Sequence, residues 1–217
     1  MPRQADHVER RRHIAEAVWR LASRGGLEDV TLRQVAAEAG LSPRLLQYYF
    51  GTRNDLLLGA LDILNSDAEK QARERIEALG PSPGMAAIVR TVLLELLPLD
   101  EERRARYLVH VAYFIRFLDD PGLRSAAPTA APSLEELISG LITQAQRTGE
   151  ADATVDAAAE ADLLVAASQG LQAQLLLDER TPQRAKEIVD QQLSRIFRSQ
   201  VPSPEGKLPS SAPRTSR

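Results

Sequence analysis

The sequence predicts an all-α protein of about nine helices, with a small three-helix unit at the N-terminus and a larger helical domain behind it. Three observations carry this reading. Helix formers such as Ala, Leu, Glu, Arg and Gln dominate the 217 residues, while β-branched and aromatic runs are scarce. Apolar residues recur at helical spacing through most of the chain. The 12 glycines and 13 prolines cluster between those periodic segments, where they end helices.

Each element follows from its own signals. Ile14, Ala17, Val18, Leu21 and Ala22 predict an amphipathic helix over about 8–24, and Trp19, the single tryptophan, packs within this unit. Thr31 caps the next helix, with Gln34 completing a T-x-x-Q box. Gly40 suits the left-handed position that ends it. Ser42-Pro43 then places an N-cap and a proline at N1, so a third helix starts at once. Thr52 with Asp55 starts a fourth, whose pattern Leu56, Leu57, Ala60, Leu61, Leu64, Ala68, Ala72, Ile76 runs for more than six turns and stops at PSPG, residues 81–84. Helices over about 84–97 and 101–118 follow, separated by Pro98. The stretch 119–132 is read as a connection. Ser133 with Glu136 caps a helix to Gly149, residues 155–178 form the next, and Thr181-Pro182 starts the last. The tail 201–217, with four prolines, four serines and no apolar period, is expected to be disordered.

Residues 31–55, TLRQVAAEAGLSPRLLQYYFGTRND, thus read as a helix, a sharp turn with glycine and a second helix, the connection that lays a recognition helix in the DNA major groove. Leu41, Leu46 and Phe50 face inward, which leaves Arg44, Gln47 and Tyr48 on the free side. Arg44 and Gln47 are three apart and share that side. An arginine can hold guanine bidentately and a glutamine adenine.

Charge agrees with this placement. The net charge of −3 argues against a nucleic-acid binder, but residues 1–53 carry nine arginines against six carboxylates, and the remainder of the chain is net acidic. There is no cysteine, and three histidines stand apart at 7, 13 and 110 without metal-ligand or catalytic spacing. No cofactor, metal site or catalytic group is therefore expected, and an enzyme is the weaker reading. The charged start MPRQADHVERRRH has no apolar signal core, and no apolar run nears the ~20 residues of a membrane span. The expectation is a soluble cytoplasmic protein.

The alanine-rich first helix ending in Arg24-Gly25-Gly26, Thr31-Leu32-Arg33, Val35-Ala36, Ala39-Gly40-Leu41-Ser42, Tyr49-Phe50 and Arg53 stand at fixed spacing over residues 14–57. This stretch resembles the N-terminal DNA-binding domain of the tetracycline-repressor (TetR) family of bacterial transcriptional regulators. Arg44 and Gln47 stand where many members carry Gly and Tyr, so the operator sequence does not transfer. The resemblance implies a helix-turn-helix domain over 1–53 and a ligand-binding and dimerisation domain over 54–200. It implies a homodimeric repressor on a palindromic operator, released by a small molecule that moves the helix beginning at Arg53. An activator, or a regulator without ligand, fits the same sequence. Base contacts fall to Arg33, Pro43, Arg44 and Gln47. Phosphate contacts fall to Thr31, Ser42, Tyr48, Tyr49, Thr52 and Arg53, although Thr31, Ser42 and Thr52 equally serve as helix caps and Tyr49 as core.

A recognition helix of about eight residues reads few base pairs, so pairing is expected. The 155–178 helix carries a small-residue stripe, Ala166, Gly170, Ala173 and Gln174, with Leu163, Leu171, Leu175, Leu193, Ile196 and Phe197 adding apolar area. In the family the last two helices form a four-helix bundle across the dimer; packing inside one subunit is the alternative. Residues 107–118, YLVHVAYFIRFL, are apolar almost all round, as in a buried helix. Family members bind their ligand among the central helices, which makes Tyr107, His110, Tyr113, Phe114 and Phe117 the expected pocket residues, with a packed core as the alternative.

Overall fold

The computed structural model describes residues 2–28, 30–127 and 132–198. The tail 201–217 lies outside the described residues. Among the described residues ten helices run in order: α1 Pro2–Gly25, α2 Leu32–Glu38, α3 Pro43–Phe50, α4 Arg53–Glu77, α5 Met85–Leu96, α6 Glu101–Asp119, α7 Pro121–Ala126, α8 Leu134–Thr148, α9 Ala157–Leu176 and α10 Pro182–Ile196. The protein is all-helical as the periodicity predicts, with one helix more than expected.

The extra helix, α7, sits in the segment read as a connection. Asp120 ends α6 and its carboxylate accepts from Leu123 N at 2.9 Å, while Pro121 takes the N1 position. A proline there costs nothing, because the first-turn N–H has no helical partner.

The caps form where the sequence places them. Thr31/Gln34, Thr52/Asp55 and Ser133/Glu136 each make reciprocal capping boxes, and the Ser42 and Thr181 side chains accept from backbone N–H groups three residues on. Gly40 takes φ +64° between α2 and α3, and Leu41 N closes back on Ala36 O at 2.8 Å. Such a cap satisfies α2 carbonyls while turning the chain sharply.

Two cores divide the molecule, and their border is not at residue 53. The first joins Ile14 and Val18 of α1, Val35 of α2, Leu46 and Phe50 of α3 and Leu56, Leu57 and Leu61 of α4. It continues into Val109, Ala112 and Tyr113 of α6 and Leu123 of α7. The second joins Val89 and Leu93 of α5, Ile138 and Ile142 of α8, Leu164 and Leu171 of α9 and Val189, Leu193 and Ile196 of α10. The second half of α6 therefore packs on the N-terminal unit. α4 runs from the first core toward the second.

Where the bodies meet, a cluster of charges is buried beside apolar contacts such as Ile76 of α4. Glu95 of α5, only 8% exposed, pairs with Arg75 of α4 and, at 3.1 Å, with Arg103 of α6, while Arg106 of α6 lies 3.7 Å away. Burial, followed by the neighbouring guanidinium of Arg103, lowers the pKa of Arg75. Among the described residues no helix is long and apolar enough to cross a membrane.

Candidate functional site

The helix-turn-helix is locked from several sides. Glu38 of α2 accepts from Arg20 at 2.7 Å and from Arg24 at 3.5 Å, both on α1, and the Arg20 hydrogen bond holds its carboxyl below the usual range. His13 Nε2 donates to Ala39 O at 2.9 Å. At the other end of α3, Arg11 donates to Tyr49 O at 3.0 Å and its guanidinium lies 4.4 Å from the Phe50 ring centroid. Such contacts let a short helix present side chains without rotating about its own axis.

On that frame, Pro43, Arg44, Gln47 and Tyr48 of α3 are exposed, as is Arg33 of α2. Tyr48 is 76% exposed, an unusual position for a large aromatic ring. Leu46 and Phe50 point into the core. Tyr49 is half-buried against the same core, edge-on to Tyr48 at 5.3 Å and 4.7 Å from the ring of His7.

The hydroxyls and Arg53 are less equal than the sequence implies. Thr31 Oγ1 donates to Gln34 Oε1 at 2.8 Å, and Thr52 Oγ1 donates to Asp55 at 2.7 Å. Those protons are committed to the caps. Ser42 Oγ only accepts, from Leu45 N at 3.2 Å, so its proton is available beside the positive end of α3. Arg53 turns back: Nε donates to Val30 O at 2.5 Å, and Nη2 to Leu27 O at 2.6 Å and Glu28 O at 3.1 Å. The expected phosphate ligand thus clasps the α1–α2 loop through Nε and Nη2.

A cavity of about 550 Å³ opens between the two cores. Tyr107 and His110 line it, together with Asp62, Asn65, Ser66 and Glu69 of α4, Arg103 and Arg106 of α6 and Gln169 and Gln172 of α9. His110 Nδ1 donates to Arg106 O at 3.1 Å, and Nε2 lies 3.1 Å from the Asn65 amide. Burial lowers the His110 pKa, against the hydrogen bond to the Arg106 carbonyl, which raises it, and with a smaller lowering from the Arg106 charge. A neutral imidazole has one N–H, spent on Arg106 O, so Nε2 is an acceptor; the Asn65 atom placed opposite it is Oδ1, and turning the amide end for end brings its N–H to that nitrogen.

The other three expected pocket residues are placed differently. Tyr113 is buried in the first core and donates to Leu57 O at 2.6 Å; burial pushes its phenol well above the ordinary range. Phe117 packs on it, ring centroids 6.0 Å apart. Phe114 is 63% exposed. An apolar pattern on all sides left the rotation of α6 undetermined, and only its first half faces the cavity. The polar α4 residues at 62, 65, 66 and 69 were missed. Their spacing on one helical face was the available signal.

The expected pairing surface divides as well. Ala166, Gly170 and Ala173 are exposed on one face of α9, extended by Leu163 at 64% and Leu177 at 68% exposure. A Cβ on Gly170 would meet nothing within 4 Å. Leu193, Ile196 and Phe197 are instead buried in the second core. They close the subunit and are not free to pair.

This architecture, a locked helix-turn-helix on a helical body, defines a DNA-binding regulator. Residues 14–60 match the family described as bacterial regulatory proteins, tetR family, and residues 86–198, more than half the chain, match the C-terminal domain of BetI-type transcriptional repressors. The chain belongs to the TetR family of bacterial transcriptional regulators, with a BetI-type C-terminal domain, and is not an enzyme.

Among relatives, it is 37% identical over 103 residues to the HTH-type transcriptional regulator PksA of Bacillus subtilis, covering 47% of this chain and 48% of that protein. It is 34% identical over 90 residues to the HTH-type transcriptional regulator BetI of Brucella suis, covering 41% of this chain and 46% of that one. The chain thus spans about half the length of the curated relatives it matches. A solved TetR-family regulator from Rhodococcus sp. superposes with TM-score 0.75 at 25% identity, covering 86% of this chain and 97% of that one. A regulator from Saccharomonospora viridis in complex with choline superposes with TM-score 0.73 at 25% identity, covering 88% and 98%.

Proposed function

We propose that this chain is a homodimeric repressor that binds a palindromic operator in the cytoplasm and leaves it when a small molecule fills the cavity between α4, α6 and α9. The observation that carries the DNA-binding reading is the face of α3. Arg44 and Gln47 are exposed side by side on a helix whose ends and neighbours are fixed. Each bidentate base contact contributes about 1–3 kcal/mol of discrimination. Arg33 and Pro43 flank that face as further base contacts, and Ser42 and Tyr48 are the favoured phosphate contacts.

Pairing would run through the exposed stripe of α9, Leu163, Ala166, Gly170, Ala173 and Leu177, where small residues permit close helix approach. Two copies then set two recognition helices about 34 Å apart, one turn of DNA.

The release step has a short mechanical path. On α4, Gly59 meets Phe50 of the recognition helix, and Asp62 lines the cavity less than one turn later. A ligand that shifts α4 therefore shifts α3. The loss of DNA affinity equals the ligand's preference for the released state.

Fluorescence anisotropy with labelled promoter fragments tests the reading. Saturable binding that survives excess random duplex, and falls on adding choline as the first compound tried, supports it. Equal affinity for promoter and random duplex refutes specific recognition. Operator binding that no small molecule alters refutes release alone.

A further inference from the structure

The buried charges lining the α4/α6/α9 cavity are spent on one another. Glu95 engages Arg75 and Arg103. Arg103 donates through Nε to Asp100 at 2.8 Å and through Nη1 to Leu94 O and Glu95, each at 3.1 Å. Arg106 gives Nη1 to Gln71 at 2.6 Å. Its Nη2 and Glu95 Oε2 have no hydrogen-bond partner among the described residues, but both atoms are closed off from solvent and stand 3.7 Å apart, charge against charge. The two remaining carboxylates of the lining, Asp62 and Glu69, are exposed, where water screens them. The groups left free are neutral. One half of the Asn65 amide engages His110, and Gln172 uses only Nε2, on Leu96 O at 2.8 Å. Burial alone raises the pKa of the Tyr107 phenol, and among the described residues no hydrogen bond occupies its hydroxyl. Leu96, Leu134 and Val165 supply the apolar wall.

We infer that this cavity takes an uncharged organic ligand, with an apolar body and a hydroxyl, carbonyl or amide group that bonds the Tyr107 hydroxyl and the free ends of the Asn65 and Gln172 amides. The inference rests on the reading of this cavity as the effector site and adds the chemical class of the effector. A cation would need a buried counter-ion, and the buried carboxylate of the lining is already shared among arginines. An anion would need guanidinium N–H groups, and those of Arg103 and Arg106 are committed or closed off, with Glu95 beside them. Either ion sheds its hydration without a partner to replace it. A neutral head group sheds less and exchanges it for hydrogen bonds of the same kind.

Three probes of one shape and different charge test this on the full chain by calorimetry at fixed ionic strength: neohexanol, its cationic analogue choline and its anionic analogue tert-butylacetate. Saturable binding of the alcohol is expected, about tenfold or more tighter than of either ion. Tyr107→Phe, which removes only a hydroxyl, should weaken the alcohol, and Tyr107→Phe combined with Gln172→Leu should weaken it roughly threefold or more, with circular dichroism showing that both variants keep their helices. No saturable binding of the alcohol overturns the proposal. So does an ion that binds as tightly as the alcohol, or full alcohol affinity in both variants. Anisotropy on the promoter fragment separates this from the effector reading. An ion that binds more tightly than the alcohol and releases the operator sinks the uncharged class and leaves release standing. An alcohol that binds with the expected preference while the operator stays bound supports the class and counts against release.

Discussion

The ring of Phe50, near the end of the recognition helix, occupies the space that a side chain on Gly59 would need. A Cβ on Gly59 would stand 2.7 Å from Phe50 Cε1 and 2.9 Å from Cδ1, with Arg11 Nη2 at 3.2 Å. Glycine in a helix interior ordinarily costs about 1 kcal/mol relative to alanine. Here it permits α3 and α4 to touch, and Arg11 stacks on the same ring. Gly59→Ala is therefore expected to destabilise by about 1–2 kcal/mol, against the helix-propensity trend, because overpacking a fixed ring outweighs the propensity gain. Operator affinity falls with it. Chemical denaturation of Gly59→Ala, Phe50→Leu and the double variant checks this: the two changes should compensate in part, and strict additivity would refute the contact.

Arg44 and Arg53 should separate cleanly. Arg44 is exposed and holds nothing in the subunit interior, so Arg44→Ala should leave the melting temperature unchanged. It should cost about 1–3 kcal/mol at the operator and relax preference at one base pair. Arg53 gives two of its nitrogens to the carbonyls of Leu27, Glu28 and Val30. Arg53→Ala leaves those carbonyls without a donor, so it should lower the melting temperature and weaken binding to every sequence. Parallel melting and anisotropy measurements decide. An Arg53→Ala protein of native stability whose only change is a smaller salt slope would restore the phosphate role to Arg53.

The contrast between these residues shows what a sequence reveals and what it hides. Caps are local, so Thr31 with Gln34, Ser42 with Pro43 and Thr52 with Asp55 were legible from residue types three apart. The exposed side of α3 followed from where Leu46 and Phe50 had to point. Arg53 was not legible, because its partners lie more than twenty residues upstream in a loop. Tyr113 and Phe114 are neighbours in sequence, yet one is buried and the other exposed, since a helix apolar on all sides does not specify its own rotation. Leu193 and Ile196 show the same limit on α10: periodicity tells that a face is covered, not whether its own subunit or a partner covers it. Asp120 with Pro121 reads as a helix breaker, and the structure uses the pair both to end α6 and to begin α7.

That limit gives the pairing prediction its discriminating power. Leu163→Glu or Gly170→Glu introduces charge on the exposed α9 stripe, where Gly170 has open space within the subunit. Each should convert a dimer to a monomer in analytical ultracentrifugation without loss of helicity, and operator affinity should drop. Leu193→Ala removes a buried side chain from the second core, and should cost about 2–5 kcal/mol of subunit stability. A dimer that persists through Leu163→Glu and Gly170→Glu would place the interface elsewhere.

His110 makes stability depend on pH with a definite sign. Burial lowers its pKa below the ordinary 6.5 and outweighs the hydrogen bond to the Arg106 carbonyl, which acts the other way. The unfolded chain gains a proton on this imidazole near pH 6.5, while the folded protein resists doing so. Above pH 6.5 both states are neutral at this position and the residue contributes no slope. As pH falls below 6.5 the unfolded state binds more protons and stability declines, until the folded pKa is passed and the loss levels off. His110→Gln removes the titration while keeping a polar group opposite Asn65. The denaturation midpoint should therefore fall less steeply in the variant than in the parent protein between pH 6.5 and about 5. Carboxylates elsewhere titrate in both proteins and cancel in the comparison. Identical slopes would mean that the imidazole accepts its proton in the folded state as readily as in the unfolded chain, and the neutral His110–Asn65 contact would have to be withdrawn.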